Sequence, residues 1–148
     1  MKDRFTRGFT AGVLAGIITS VWNLLSYHLL HMSNLRFLDF AAVFIFGNTA
    51  TTIWEMLLSL VGTIIFFGFL GSVFIYLITL ITSENLIFKS FLFGIAVWFV
   101  SYAISILFKL PELEKVTFLT ALSNFFGSSI YGICLGFSLK ILDKYKTV

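Results

Sequence analysis

The sequence predicts an all-α, polytopic membrane protein with four transmembrane helices. Of its 148 residues, 59% are hydrophobic and 11% are charged, against roughly 45–50% and 25% in soluble domains. Its mean hydropathy is +1.01, and its apolar residues fall into four runs long enough to cross a bilayer. One small globule cannot hide so much apolar surface from water. The lipid bilayer is therefore the expected partner, and a soluble enzyme, a disordered regulator and a nucleic-acid-binding protein are excluded.

The four runs cover about residues 8–30, 53–81, 87–108 and 117–142, and we expect one membrane domain over residues 1–148. A span needs about 20 residues, so the second run must tilt or project beyond the hydrocarbon. The first run follows basic residues, as the apolar part of a secretory signal does. It is longer than such a segment and no small-residue cleavage site follows it, so we interpret it as a retained helix.

The long connection between the first two spans contains a shorter apolar segment, residues 37–46. Ten residues cannot cross a bilayer, so this segment is predicted to be a short helix that is either interfacial or re-entrant. Asn34 is placed to cap its start, and Gly47 is placed to end it.

The distribution of Lys and Arg predicts the orientation. If four spans place both termini on one side, that side carries seven basic residues and the opposite side carries three. The excess of positive charge predicts that both termini are cytoplasmic. The seven are Lys2, Arg4, Arg7, Lys89, Lys140, Lys144 and Lys146, and the three are Arg36, Lys109 and Lys115.

Two spans carry small or polar residues at every fourth position, which we call ladders. The first ladder comprises Gly8, Gly12, Gly16 and Ser20, and the second comprises Thr120, Asn124, Ser128, Gly132 and Gly136. Such repeats allow two helices in lipid to approach closely. The alternative is that glycine is simply common in membrane helices. The pattern leaves open whether the ladders join these helices to each other or to a second copy.

Polar residues gather towards the predicted outer side of the spans, and the set comprises Asn23, Tyr27, His28, Glu55, Ser101 and Asn124. Glu55 is the only acid inside a span, and burying a charge in a membrane is expensive, so it is a candidate functional residue. We expect it to face the bundle near Asn23, Tyr27 or His28. The alternative is an interfacial residue that water reaches.

No cofactor or metal is expected. His28 and His31 are three residues apart, and with Asp39 or Glu55 they could form a two-histidine, one-carboxylate site. That pairing is unspecific, and polar residues at headgroup level are the simpler interpretation. The single cysteine, Cys134, cannot form an internal disulfide and is interpreted as a small apolar side chain.

Several stretches resemble the YqhR-type group of small uncharacterised firmicute membrane proteins. The stretches are Arg7-Gly8 with the glycine-rich first helix, residues 93–99, Ser123-Asn124-Phe125 and Tyr131-Gly132-Ile133. The resemblance implies a multi-pass protein of a bacterial cytoplasmic membrane. That group has no established activity, so the resemblance assigns no residue a role.

The ladders favour a non-enzymatic membrane protein that acts through helix–helix association, as a homo-oligomer or with another membrane protein. The alternative is a small oligomeric channel or transporter with a polar entry on the outer side. A membrane enzyme is disfavoured because the sequence contains no recognisable catalytic set.

Overall fold

The computed structural model describes residues 3–82, 84–110, 112–113 and 116–144, and all regular structure among these residues is helical. Four of the five helices are long and apolar enough to cross a membrane, and the short helix lies between the first two long ones. This confirms the predicted fold class. The helices are α1 (Arg4–His28), α2 (Phe37–Phe46), α3 (Ile53–Leu80), α4 (Leu86–Leu107) and α5 (Phe118–Lys144).

Side-chain caps explain where the first two helices begin. The carboxylate of Asp3 accepts hydrogen bonds from the backbone N–H groups of Phe5 and Thr6, so α1 begins before the apolar run. The N-cap position of α2 is Arg36, whose backbone N–H donates to the carboxylate of Asp39, so the prediction of Asn34 as the cap is wrong. The amide oxygen of Asn34 is instead bonded by the hydroxyl of Thr120 in α5.

The last residue of α2 is followed by Gly47, as predicted. Gly47 has φ +80°, and its N–H donates to the carbonyl of Val43. Glycine adopts this left-handed conformation without the steric cost that a side chain would bring.

The long helices form a row in the order α3, α1, α5, α4. Helix α1 packs against both α3 and α5, α5 also packs against α4, and α3 meets α4 at few positions. One of these is the pair Phe74 and Phe93, whose ring centroids are 5.1 Å apart. We call the end where α1 ends and α3 begins the outer end, since the predicted orientation places it outside the cell. The opposite end is the inner end.

The first ladder joins α1 to α3. A Cβ atom added at Gly12 would overlap the carbonyl oxygen of Phe67, and one added at Gly71 would overlap that of Gly8. Gly16 lies against the side chain of Phe67, and Ser20, the last member of the ladder, is buried. The two helices therefore approach to backbone contact.

The second ladder joins α5 to α4. A Cβ atom added at Gly132 would overlap the carbonyl oxygen of Ser90, and one added at Gly136 would overlap its hydroxyl. From the other side, Gly94 faces the carbonyl oxygen of Ser128. The glycines of both ladders thus pack against partner helices within one chain, and the two ladders do not face each other.

Tyr131 of α5 lies at the centre of the core. It is fully buried, its ring centroid is 4.6 Å from that of Phe67, and its hydroxyl donates to the Phe67 carbonyl at 2.8 Å. This bond joins α5 directly to α3. It also satisfies a hydroxyl that would otherwise be unpaired in an apolar core.

Helix α2 is inserted among the outer parts of the long helices. The ring of Phe37 lies 5.9 Å from that of Phe67, which is about 21 Å along α3 from its outer end at 1.5 Å per residue. Phe37 also packs on Gly127 of α5, and Phe40 lies 6.0 Å from Tyr102 of α4. Helix α2 therefore lies beside the outer part of α3 and not across its end.

Candidate functional site

A chain of buried hydrogen bonds connects α2 to three spanning helices. The backbone N–H of Phe37 donates to Asn23 Oδ1 at 2.6 Å, and Asn23 Nδ2 donates to Asn124 Oδ1 at 2.9 Å. Asn124 Nδ2 then donates to the hydroxyl of Tyr102 at 2.8 Å. Asn23 and Asn124, both predicted members of the polar cluster, are therefore in direct contact.

Further bonds between α1 and α5 surround this pair. The indole Nε1 of Trp22 donates to the Ser123 carbonyl at 3.2 Å, and the hydroxyls of Ser26 and Ser123 are hydrogen-bonded to each other. All three residues lie in the outer half of the interface. The outer part of the α1–α5 contact is therefore polar, although it is buried.

A cleft of about 440 Å³ lies next to this network, and we call it the outer pocket. Its wall comes from the end of α1, the start of α2, the α2–α3 connection and the α4–α5 connection. The polar residues that line it are Tyr27, Asn34, Arg36, Asp39, Thr49 and Glu112.

A buried ion pair forms one wall of the outer pocket. Arg36 and Asp39 are 4% and 2% exposed, so neither charge is screened by much water. Arg36 Nε and Nη2 donate to the two carboxylate oxygens of Asp39 at 3.0 and 2.8 Å. The backbone N–H of Arg36 donates to the same carboxylate at 2.7 Å. Asp39 therefore caps α2 and neutralises the arginine at once.

The ring of Tyr27 packs against the guanidinium of Arg36, whose central carbon lies 4.6 Å from the ring centroid. Burial by itself would lower the pKa of Arg36. Hydrogen bonding and Coulomb attraction to Asp39 outweigh that effect, so the pKa is raised and Arg36 stays charged. The pocket thus holds a rigid, permanently charged guanidinium.

Two N–H groups of this guanidinium have no acceptor among the residues that the structure describes. Arginine has five side-chain N–H groups; Asp39 accepts from two of them, and the sulfur of Met56 accepts weakly from a third at 3.7 Å. Two N–H groups of a buried side chain that lines the pocket therefore remain for a ligand or for water.

Glu112, in the connection between α4 and α5, lies at the exposed side of the pocket. Its Oε2 atom accepts from the hydroxyl of Thr49 at 2.6 Å and from the Thr49 backbone N–H at 3.3 Å. These two hydrogen bonds, the hydroxyl first, lower the pKa of Glu112. The carboxylate is therefore ionised at neutral pH and links two connections across the pocket.

The prediction that Glu55 faces the bundle is wrong. Its carboxylate accepts from the backbone N–H groups of Thr51 and Thr52 at 2.9 and 3.2 Å, and from the Thr51 hydroxyl. The hydroxyl of Thr52 in turn accepts from the N–H of Glu55. This capping box satisfies the first donors of α3, so Glu55 belongs to its own helix end.

Of the other residues predicted for the polar cluster, one lines the outer pocket and two do not. Tyr27 lines the pocket, as described. His28 is exposed at the end of α1, with its ring 4.9 Å from that of Tyr27. The hydroxyl of Ser101 donates to the Val97 carbonyl of its own helix at 2.8 Å, so Ser101 does not join the network. A serine in an apolar helix can satisfy itself this way, which position in the sequence does not reveal.

The carboxylates considered for a metal site are engaged elsewhere, Asp39 with Arg36 and Glu55 with its helix start. Within residues 3–82, 84–110, 112–113 and 116–144, no three His, Cys, Asp or Glu side chains lie close enough to hold a metal ion.

Sequence reasoning missed Arg36, Thr49 and Glu112 as pocket residues. The available signal was the spacing of Arg36 and Asp39, since three residues at the start of a helix bring the two side chains together. Thr49 and Glu112 are far apart in the chain and meet only in the fold. The chain matches no family model, no curated protein and no solved structure.

Proposed function

We propose that this integral membrane protein is a non-enzymatic binding protein that takes a small polar solute into its outer pocket. The observation that carries the proposal is the buried guanidinium of Arg36, which lines the pocket and has two N–H groups without an acceptor in the described part of the chain. A buried donor without an acceptor is costly, so a ligand that accepts from it gains affinity.

Binding is better supported than conduction, which the polar outer entry had suggested. Towards the inner end, α1 meets α3 and α5 meets α4 by glycine contacts that leave no space between the backbones. Tyr131 and Phe67 fill the centre. A solute in the outer pocket therefore meets a closed, apolar inner half.

We place the protein in the cytoplasmic membrane of a bacterium with both termini in the cytoplasm. The support is the resemblance to the YqhR-type group and the seven-to-three distribution of basic residues. Lys2, Lys115 and Lys146 of that count lie outside the described residues. A reporter fused after Val148 should be active only in the cytoplasm. Activity only outside the cell would reverse the orientation and place the pocket on the cytoplasmic side.

Filling the pocket tests the proposal. Thr49 lines it, so Thr49→Trp should block a solute that raises the melting temperature of the wild type. Thr82→Trp, at the exposed inner end, is the matched control and should respond as the wild type does. Binding at 100 times Kd stabilises a protein by about 2.7 kcal/mol, which a thermal shift detects. Equal shifts in all three proteins, or none across a panel of polar solutes, would refute pocket binding.

Association between copies is a second candidate, and the observation that favours it is the exposure of α4. Only 17% of the residues in the apolar 18-residue stretch of α4 are buried, against 44% in each of the other three spanning helices. The ladders that suggested association are used within the chain, so a second copy would pack on α4. In a Cys134→Ala background, Phe99→Cys on α4 should then cross-link in native membranes, whereas Leu57→Cys on α3 should not. Equal cross-linking of both would contradict a specific α4 contact.

A further inference from the structure

We propose that the solute of the outer pocket is a zwitterion, a small molecule that carries both an oxyanion and an ammonium group. The inference rests on the proposed function and specifies its ligand class. It follows from the two charged groups that the pocket presents at different places, the guanidinium of Arg36 and the carboxylate of Glu112.

The oxyanion end is matched by Arg36. Asp39 accepts from Nε and Nη2 of the guanidinium and Met56 accepts weakly from Nη1, so one N–H group remains on each of the two terminal nitrogens. Arginine donors arranged in a plane suit a carboxylate or a phosphate, which accepts with two oxygens. Tyr27 and Asp39 fix the plane, so little side-chain entropy is lost when an anion binds.

The ammonium end is matched by Glu112. Thr49 donates only to its Oε2 atom, so Oε1 has no protein donor among the described residues. The hydrogen bonds from Thr49 lower the pKa of this carboxyl and keep it charged. An ammonium group at Oε1 would therefore meet a full negative charge on a carboxylate that is already oriented.

The charge of the lining disfavours ligands with one charge. Arg36 and Asp39 cancel each other, and Glu112 leaves a net negative charge among the side chains that line the pocket. A simple anion would be attracted by the Arg36 donors but repelled by Glu112. A simple cation would be attracted by Glu112 but would leave the Arg36 donors without an acceptor. A zwitterion satisfies both groups.

Two sources supply this chemistry, a free amino acid and the headgroup of an ethanolamine phospholipid. Titration calorimetry of the purified full chain in detergent distinguishes a zwitterion from its halves. The probes are glycine, sn-glycero-3-phosphoethanolamine, acetate and ethylammonium. We expect at least one of the two zwitterions to bind about tenfold more tightly than acetate or ethylammonium.

The deciding variant is Glu112→Gln, which keeps the acceptor for Thr49 but removes the charge. Because Glu112 is exposed, we expect this variant to weaken zwitterion binding by up to about fivefold, the upper end for an exposed ion pair. Binding of acetate should be unchanged or improved. Glu84→Gln at the inner end, an exposed glutamate outside the pocket, should change nothing. Arg36→Lys, if it folds, should weaken every oxyanion by about tenfold, because it removes the planar donors.

Nanodiscs separate the two sources. If the headgroup is the ligand, the protein should melt higher in discs of phosphatidylethanolamine than in discs of phosphatidylglycerol, and Glu112→Gln should abolish the difference. If a free amino acid is the ligand, glycine should bind equally in both discs. Either result supports the zwitterion.

The zwitterion proposal fails if acetate binds as tightly as both zwitterions, or if Glu112→Gln leaves zwitterion binding unchanged. It also fails if no probe binds while another solute raises the melting temperature of the wild type and not of Thr49→Trp. In each of these cases the outer pocket remains a binding site with a different ligand. If no solute raises the melting temperature of the wild type more than that of Thr49→Trp, the proposed function itself fails.

Discussion

The inner and outer halves of the bundle are held together by different interactions. In the inner half, helices meet backbone to backbone at glycines, as Gly8 and Gly12 of α1 do with Gly71 of α3. In the outer half, α2 lies among the helices, and the contacts are side-chain hydrogen bonds such as that between Asn23 and Asn124. At the contact between α1 and α5, Gly127 lies against the side chain of Trp22, and several side-chain hydrogen bonds join the two helices.

The difference shows what opens a pocket in so small a membrane protein. Lipid offers apolar side chains as good an environment as a neighbouring helix does, so association relies on close packing or on hydrogen bonds. Close packing leaves no room for a cavity. Where α2 lies among the outer parts of the helices, polar groups must find partners, and N–H groups that remain, such as two on Arg36, become available to a ligand.

The largest expected effect is on the ion pair that anchors α2 in the outer half. Arg36→Met leaves the buried Asp39 carboxylate without its main partner, and breaking a buried pair in this way costs about 3–5 kcal/mol. The double variant Arg36→Met/Asp39→Leu removes both charges and should recover most of that loss. The free energy of unfolding in mixed micelles titrated with dodecyl sulfate measures both. Equal stability of the single and double variants would mean that the pair does not hold α2.

The inner half gives the next largest effect. Gly12→Ala places a Cβ atom on the Phe67 carbonyl, which is backbone and cannot rotate away. We expect a loss of about 1–3 kcal/mol, as for other overpacked sites. Gly62→Ala is the matched control on α3, where the added atom meets only Ile45 Cδ1 at 3.5 Å, an ordinary contact. It should be neutral or slightly stabilising, because alanine favours the helix. The same unfolding titration applies, and a neutral Gly12→Ala would remove the close-packing account.

Much of this architecture could be predicted because it depends on local sequence properties. Hydropathy and length predicted the four spans and the short helix, since a bilayer imposes a minimum apolar length. Repeats at four residues marked close-packing faces, because glycines at that spacing lie on one side of a helix. Their partners could not be predicted, as Gly12 and Gly71 are brought together only by the packing of α1 on α3.

The pocket was less predictable, for the same physical reason. Asn23 and Asn124 were recognised by depth, which is set by position along each span. Glu55 has a similar depth, but its carboxylate accepts from the first backbone N–H groups at the start of its own helix. Depth alone does not distinguish such a local contact from one to a neighbouring helix. Thr49 and Glu112 lie in connections, whose paths are determined by the helices they join.

The coupling free energy between Asn23 and Asn124 should be moderate. In a double-mutant cycle of Asn23→Ala and Asn124→Ala, each single change removes their shared hydrogen bond. Such bonds between membrane helices average about 0.6 kcal/mol and reach about 1.7. We expect the upper part of this range, because both side chains also hold a second partner. Additive effects in the unfolding titration would show that the two asparagines stabilise the bundle independently.

The smallest expected effect is the pH dependence of the hydrogen bonds between Glu112 and Thr49, two residues that line the outer pocket. The pKa of Glu112 is lower in the folded protein than its ordinary value of 4.5 because Thr49 donates hydrogen bonds to the carboxylate. The folded state therefore binds the proton less readily than the unfolded state does. The stabilisation is complete above pH 4.5 and is lost as the pH falls through the lowered pKa. At pH 7 the melting temperature of the wild type should be slightly higher than that of Glu112→Gln, and the two values should converge in acid. A difference that persists or grows below the ordinary value would mean that the carboxylate is not stabilised by Thr49.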